Sequence, residues 1–137
     1  MKSITKITPK IKNLIYDQLD FIGVSPALRG YEYLATTLGL VLQHPELKDS
    51  ITHLYQIVGE LHESTGSRVE RSIRHAIEVV FNRMPMNSPN WVCFKYMSSD
   101  KGKPTNKEFI STMVNMVRKE ISEMNPELPG QIQMEGV

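Results

Sequence analysis

The apolar residues of this chain recur three and four positions apart, never in sustained alternation, and prolines and glycines cut that pattern into segments of helical length. A helix gathers such a pattern into one stripe, whereas a strand needs every second residue apolar, so the expected fold class is all-α. At 137 residues with 40% apolar composition, the chain has the size of one domain with a core of its own.

Punctuation sets the elements. Thr8 as N-cap with Pro9 at the first helical position opens a first helix, with Ile11, Leu14, Ile15, Leu19 and Ile22 inward and Gly23 closing it. Ser25 and Pro26 read as the start of a second, carrying Leu28, Tyr31, Leu34, Leu38 and Val41 to about His44, where Pro45 stops it. A third is expected over 51–63, with Leu54, Ile57, Val58 and Leu61 buried, ending at the Ser64-Thr65-Gly66 turn, and a fourth over 67–83. The prolines between Met84 and Pro104 leave room for one short helix near 88–97, capped by Ser88. Thr105 and Glu108 form a capping box ahead of Phe109, Ile110, Met113, Val114 and Val117. Residues 1–121 thus read as a single domain and 122–137, interrupted by Pro126 and Pro129-Gly130, as a loosely ordered tail.

The fourth segment carries the chemistry. Val69, Ile73, Ala76, Ile77 and Val80 make one inward stripe, and at about 100° per residue Arg71, Arg74 and Glu78 stand opposite it, with Arg68 and His75 on one shoulder and Glu70 on the other. A guanidinium fork can donate two hydrogen bonds to the O6 and N7 of guanine, so two forks three residues apart can read neighbouring bases in a major groove. Glu70 can accept from a cytosine amino group, and Ser67, Arg68 and His75 stand where phosphates flank a docked helix. The competing reading is a solvated helix on which arginines and glutamates pair at i,i+3 and i,i+4, with Ser67 and Glu70 as a second capping box. Gly59 lies ten residues before Val69, the spacing at which a helix-turn-helix places a small residue on its first helix and an apolar one on its second; His62 stands where an apolar residue is usual.

Net charge is only +1, so any case for a nucleic-acid partner is local: four arginines and His75 lie over 64–83, while Glu120, Glu123, Glu127 and Glu135 make the C-terminal end acidic. No Gly-rich phosphate loop, nucleophile elbow or His-Glu metal helix is present in the sequence, which argues against an enzyme. His44, His53, His62 and His75 are too scattered for a metal site, and Cys93, beside Trp91 and Phe94, reads as a core residue; neither metal nor cofactor is expected. A lone cysteine, no signal-peptide pattern and no membrane-spanning run fit a cytoplasmic chain, nucleoid-associated if it binds DNA.

The string from Ser67 through Arg68, Val69, Glu70, Arg71, Ser72, Ile73, Arg74, His75, Ala76 and Ile77 to Glu78 is the first of two long blocks; the second runs from Gly102, Lys103 and Pro104 through Thr105, Asn106, Lys107 and Glu108 to Phe109 and Ile110. Both resemble the C-terminal effector domain of the sporulation master response regulator of endospore-forming Firmicutes. Gly23-Val24-Ser25-Pro26, Gly30 to Leu34, and Ile51-Thr52 follow the same pattern in order. The resemblance implies a six-helix bundle containing a helix-turn-helix that binds double-stranded promoter DNA. Carried over by position, Glu70, Arg71 and Arg74 would read bases, while Ser67, Arg68, His75 and Lys103 would contact the backbone. It also implies a homodimer or tandem dimer on DNA, with the C-terminal helix contributing, and RNA polymerase as a further partner. The residues around Tyr55 to His62 and over 84–99 diverge from the pattern, and only about twenty residues precede the matched region, so a receiver domain and its phosphorylation control are not expected in this chain, which would be either a fragment or a stand-alone relative. The alternative function is a receiver-less interaction protein that pairs with, or competes against, a full-length regulator without activating transcription.

Overall fold

The computed structural model describes residues 6–83 and 103–124. Among them the chain forms α1 (Pro9–Ile22), α2 (Arg29–Gln43), a 3₁₀ turn (Pro45–Asp49), α3 (Ile51–Leu61), α4 (Gly66–Arg83) and α5 (Asn106–Met124), with no strand. These are five α-helices; the sixth, expected near 88–97, lies outside the described residues, as does Cys93.

The ends of α1 follow from local chemistry. Thr8 Oγ1 accepts from Ile11 N at 3.2 Å, and Gly23, at φ 103°, turns the chain through the left-handed region. There Gly23 N donates to Asp20 O and Val24 N to Leu19 O, the bond pair of a Schellman ending. Helix α2 starts later than expected. Ser25 Oγ accepts from Ala27 N and Ser25 O from Leu28 N, so Ser25 and Pro26 build a turn, and the helix begins at Arg29. Cross-bonds then brace α1 against α2: the Tyr16 hydroxyl donates to Glu32 at 2.6 Å and the Tyr31 hydroxyl to Asp20 at 2.8 Å, with the two rings stacked 5.5 Å apart. The Glu32 hydrogen bond is the main reason the Tyr16 phenol is pushed up to about 12.

Helix α3 is shorter than the expected 51–63, and its inward face is rotated. Leu54, Tyr55, Val58 and Gly59 are buried, whereas Ile57 is half-buried and Leu61 is 62% exposed. The chain leaves α3 by a second Schellman ending, Ser64 N to Gly59 O and Glu63 N to Glu60 O, which requires Glu63 at φ 55°. Thr65 then caps α4, its Oγ1 accepting from Arg68 N at 3.2 Å and its carbonyl from Val69 N. Thr65 therefore takes the cap role expected of Ser67, and Ser67 lies inside the first turn.

One buried cluster joins all five helices. The α4 stripe of Val69, Ile73, Ala76, Ile77 and Val80 is buried as its spacing predicts, and Phe81 extends it to meet Phe109 edge to face at 6.4 Å. Each fully buried side chain of this size contributes roughly 1.5–3 kcal/mol, so α4 is held by its apolar face and its polar face is left outward. Two glycines set how closely its neighbours approach. A Cβ on Gly30 would lie 2.5 Å from Ser72 O and 2.8 Å from Ala76 Cβ, where α2 crosses α4. One on Gly59 would lie 2.8 Å from the Thr65 carbonyl carbon: the small residue is needed, but for the turn backbone rather than for Val69. His62, placed where an apolar residue was expected, shares a 2.8 Å hydrogen bond with Thr36 Oγ1 and sets its ring edge-on to Tyr33.

Helix α5 opens with the expected capping box, Thr105 N donating to Glu108 Oε1 at 3.0 Å and Glu108 N to Thr105 Oγ1 at 3.1 Å. It continues to Met124, three residues past the boundary the prolines suggest; residues 125–137 lie outside the described ones. None of the described helices is long and apolar enough to cross a membrane.

Candidate nucleic-acid interface

Arg68, Arg71, Arg74 and His75 are all exposed on α4, on the side away from its buried stripe, together with Ser67; Glu70 and Glu78 are half-exposed. The sequence placed these residues on one ridge, and the structure brings them together there. It also divides them. Glu70, Arg74, Glu78 and Ser67 face a groove of about 720 Å³ that α4 shares with α3 and the start of α5, while Arg71 and His75 face a notch of about 380 Å³ that α4 shares with the start of α2.

On the first side the charges are matched. Arg74 Nη1 pairs with the Glu70 carboxylate one turn back, so the i,i+4 pairing weighed as the alternative holds for these two residues. Their side chains remain 48% and 40% exposed, which makes the pair a weak, solvent-screened one. Lys103 reaches from the segment before α5 and donates to Glu78 Oε2 at 3.0 Å. That hydrogen bond is the main reason the Glu78 carboxyl is held below the ordinary carboxylate range. Lys103 is thus brought to the α4 ridge from 25 residues away.

The start of α5 is fixed to this side by groups the sequence reading did not single out. Asn106 Nδ2 donates to the Tyr55 hydroxyl at 3.0 Å and to Glu70 O at 3.2 Å, tying α5 to α3 and α4 at once. Tyr55 is buried, and burial above all pushes its phenol up. The available signal was the second long block itself, where Asn106 directly follows the cap residue Thr105.

On the second side the charges are unmatched. The Arg71 side chain makes no hydrogen bond or ion pair among the described residues, and neither does the Arg68 side chain on the shoulder. His75 makes no hydrogen bond there either, and its influence on Glu78 is through charge alone.

An exposed helix ridge rich in guanidinium groups, with a lysine drawn to it from a distant loop, is the arrangement expected of a surface that meets a polyanion. Residues 15–117 match the family described as sporulation initiation factor Spo0A C terminal. The chain belongs to the Spo0A C-terminal family. That family is one of DNA-binding effector domains associated with sporulation and transcription regulation, not of enzymes. The match spans α2, α3 and α4 whole, most of α1, and α5 as far as Val117, so the Spo0A-type region holds both sides of the α4 ridge.

Proposed function

We propose that this chain is a sequence-specific, double-stranded-DNA-binding transcription regulator in which α3, the turn and α4 act as a helix-turn-helix and α4 enters the major groove. The observation that carries this reading is the α4 ridge: a buried apolar stripe on one side and Arg68, Arg71, Arg74 and His75 exposed on the other. In it, Glu70, Arg71 and Arg74 read base edges, while Ser67, Arg68, His75 and Lys103 meet the sugar-phosphate backbone. Arg71 is available to a guanine as it stands, whereas Arg74 first exchanges Glu70 for the base. That exchange costs little, because exposed pairs of this kind are worth at most about 1 kcal/mol.

Glu70, once released, is free to accept from a cytosine amino group beside the base that Arg74 reads. Promoter elements are the partner this reading names, with a second copy of the chain on tandem elements and RNA polymerase as further partners. Selection of bound sequences from a random duplex pool tests it. Arg74→Ala should weaken binding to the selected element by about 1–3 kcal/mol and relax preference at one base pair, while Lys103→Ala should weaken all duplexes alike. Equal binding of wild type and Arg74→Ala to the selected element would count against the assignment.

A further inference from the structure

The notch between the start of α2 and the middle of α4 has a second guanidinium group, with no part in the function proposed above. Arg29, the first residue of α2, lines it together with Arg71 and His75, and no acidic side chain does. Arg29 is exposed, and its side chain makes no hydrogen bond or ion pair among the described residues. The groove on the other side of α4 differs in kind, since Glu70 and Glu78 line it and hold Arg74 and Lys103.

Close approach makes the notch a fixed feature. Gly30 rests against Ser72 O so tightly that a Cβ there would lie at 2.5 Å, and this contact places Arg29 beside the α4 backbone. Two guanidinium groups in a notch that no carboxylate lines repel each other and give little back to the fold, so the arrangement makes sense when an anion joins it. Geometry says which anion. A major groove about 12 Å wide is bounded by two phosphate strands. Lys103 reaches Glu78 on the flank of α4 that faces α3 and α5, and Arg29 lines the notch on the flank that faces α2, so with α4 in the groove the two stand on opposite sides of the helix.

We infer that this notch is a second phosphate seat, in which Arg29, assisted by the His75 ring, holds the DNA strand opposite to the one that Lys103 contacts. The inference rests on α4 docking as proposed above. It adds a contact from α2, an element outside the helix-turn-helix, and makes the interface two-sided: one strand is met by a lysine that gives up Glu78, the other by an arginine that gives up nothing.

The test uses the whole 137-residue chain, the duplex it selects from a random pool, and an unrelated duplex. Affinity is measured across a salt series for wild type, Arg29→Gln, Arg29→Lys and Lys103→Gln, with Lys10→Gln on α1 as a remote charge control. Arg29→Gln should flatten the log-affinity against log-salt slope by about 0.9 and weaken both duplexes by the same factor. Arg29→Lys should keep the wild-type slope, and Lys10→Gln should leave slope and affinity unchanged. Single phosphates are then neutralised in turn as methylphosphonates. The positions that stop mattering in Arg29→Gln should fall on one strand, and those that stop mattering in Lys103→Gln on the other. Wild-type affinity and slope in Arg29→Gln, or both variants losing sensitivity on the same strand, would overturn the second seat while leaving α4 docking intact. A wild-type chain with no salt-dependent affinity for any duplex would overturn the docking itself, and the seat with it.

Discussion

The two flanks of α4 keep their cations in opposite ways. Facing α3 and α5, Arg74 and Lys103 are each held by a carboxylate of α4 itself. Facing α2, Arg29, Arg71 and His75 line a notch with no acidic side chain. A paired cation must trade one anion for another when DNA arrives, so it adds less net attraction than an unpaired one. An unpaired one brings its full charge to the encounter and adds attraction for any phosphate. The two flanks of α4 thus differ in how much positive charge they leave without a partner, and the difference follows from where Glu70 and Glu78 fall in its 3.6-residue turn.

Pushing α2 off α4 should do the most damage to the α2 flank. Gly30→Ala sets a methyl 2.5 Å from Ser72 O, a backbone atom that cannot yield as a flexible side-chain end would. We expect a loss of about 1–3 kcal/mol in urea denaturation, the usual cost of overpacking, together with a flatter salt slope for DNA binding as Arg29 moves away. The other flank responds less. Glu63→Gly places a glycine at φ 55° in the turn that leads into α4 and should raise stability by about 0.5 kcal/mol, the relief of a left-handed residue less the added freedom of the unfolded chain. Urea denaturation checks it, and DNA affinity should not change.

The smallest effect sharpens the claim that Glu78 holds Lys103. The Glu78 carboxyl is lowered in the folded chain, so this contact stabilises above the ordinary carboxylate pKa of about 4.3, and the contribution is lost as pH falls through the lowered value. Lys103→Ala should move the Glu78 titration, followed by carboxyl carbon NMR, back up toward the ordinary range. An unmoved titration would show that the pairing is not what lowers it.

Much of this was legible in the sequence because its causes are local. The stripe of α4 is a matter of spacing, the ends at Thr8 and Thr105 depend on side chains within three residues of the bonds they make, and the end at Gly23 on the absence of a side chain. Other features are not local. The start of α2 failed to follow Ser25 and Pro26 because the Ser25 hydroxyl found a turn partner, Ala27 N, instead of a helix. The inward face of α3 could not be fixed from Leu54, Ile57, Val58 and Leu61, since its apolar residues surround much of the helix; packing chose Tyr55 and Gly59 and left Leu61 outward. Arg71 and Arg74 looked equivalent on a helical wheel. They differ because one has Glu70 a turn away on its own flank and the other faces α2. That separation exists only once the helices are packed, and so does the position of Arg29.

If α4 docks as proposed, its outward ridge is the surface DNA occupies. Backbone amide NMR during titration of the ¹⁵N-labelled chain with its selected duplex tests it directly. The largest shift changes should gather over 66–79, at 103–107 on one side, and at Arg29 and Gly30 on the other, and fade as salt is raised. Changes centred instead on the outer faces of α1 and α5, with residues 66–79 undisturbed, would contradict it.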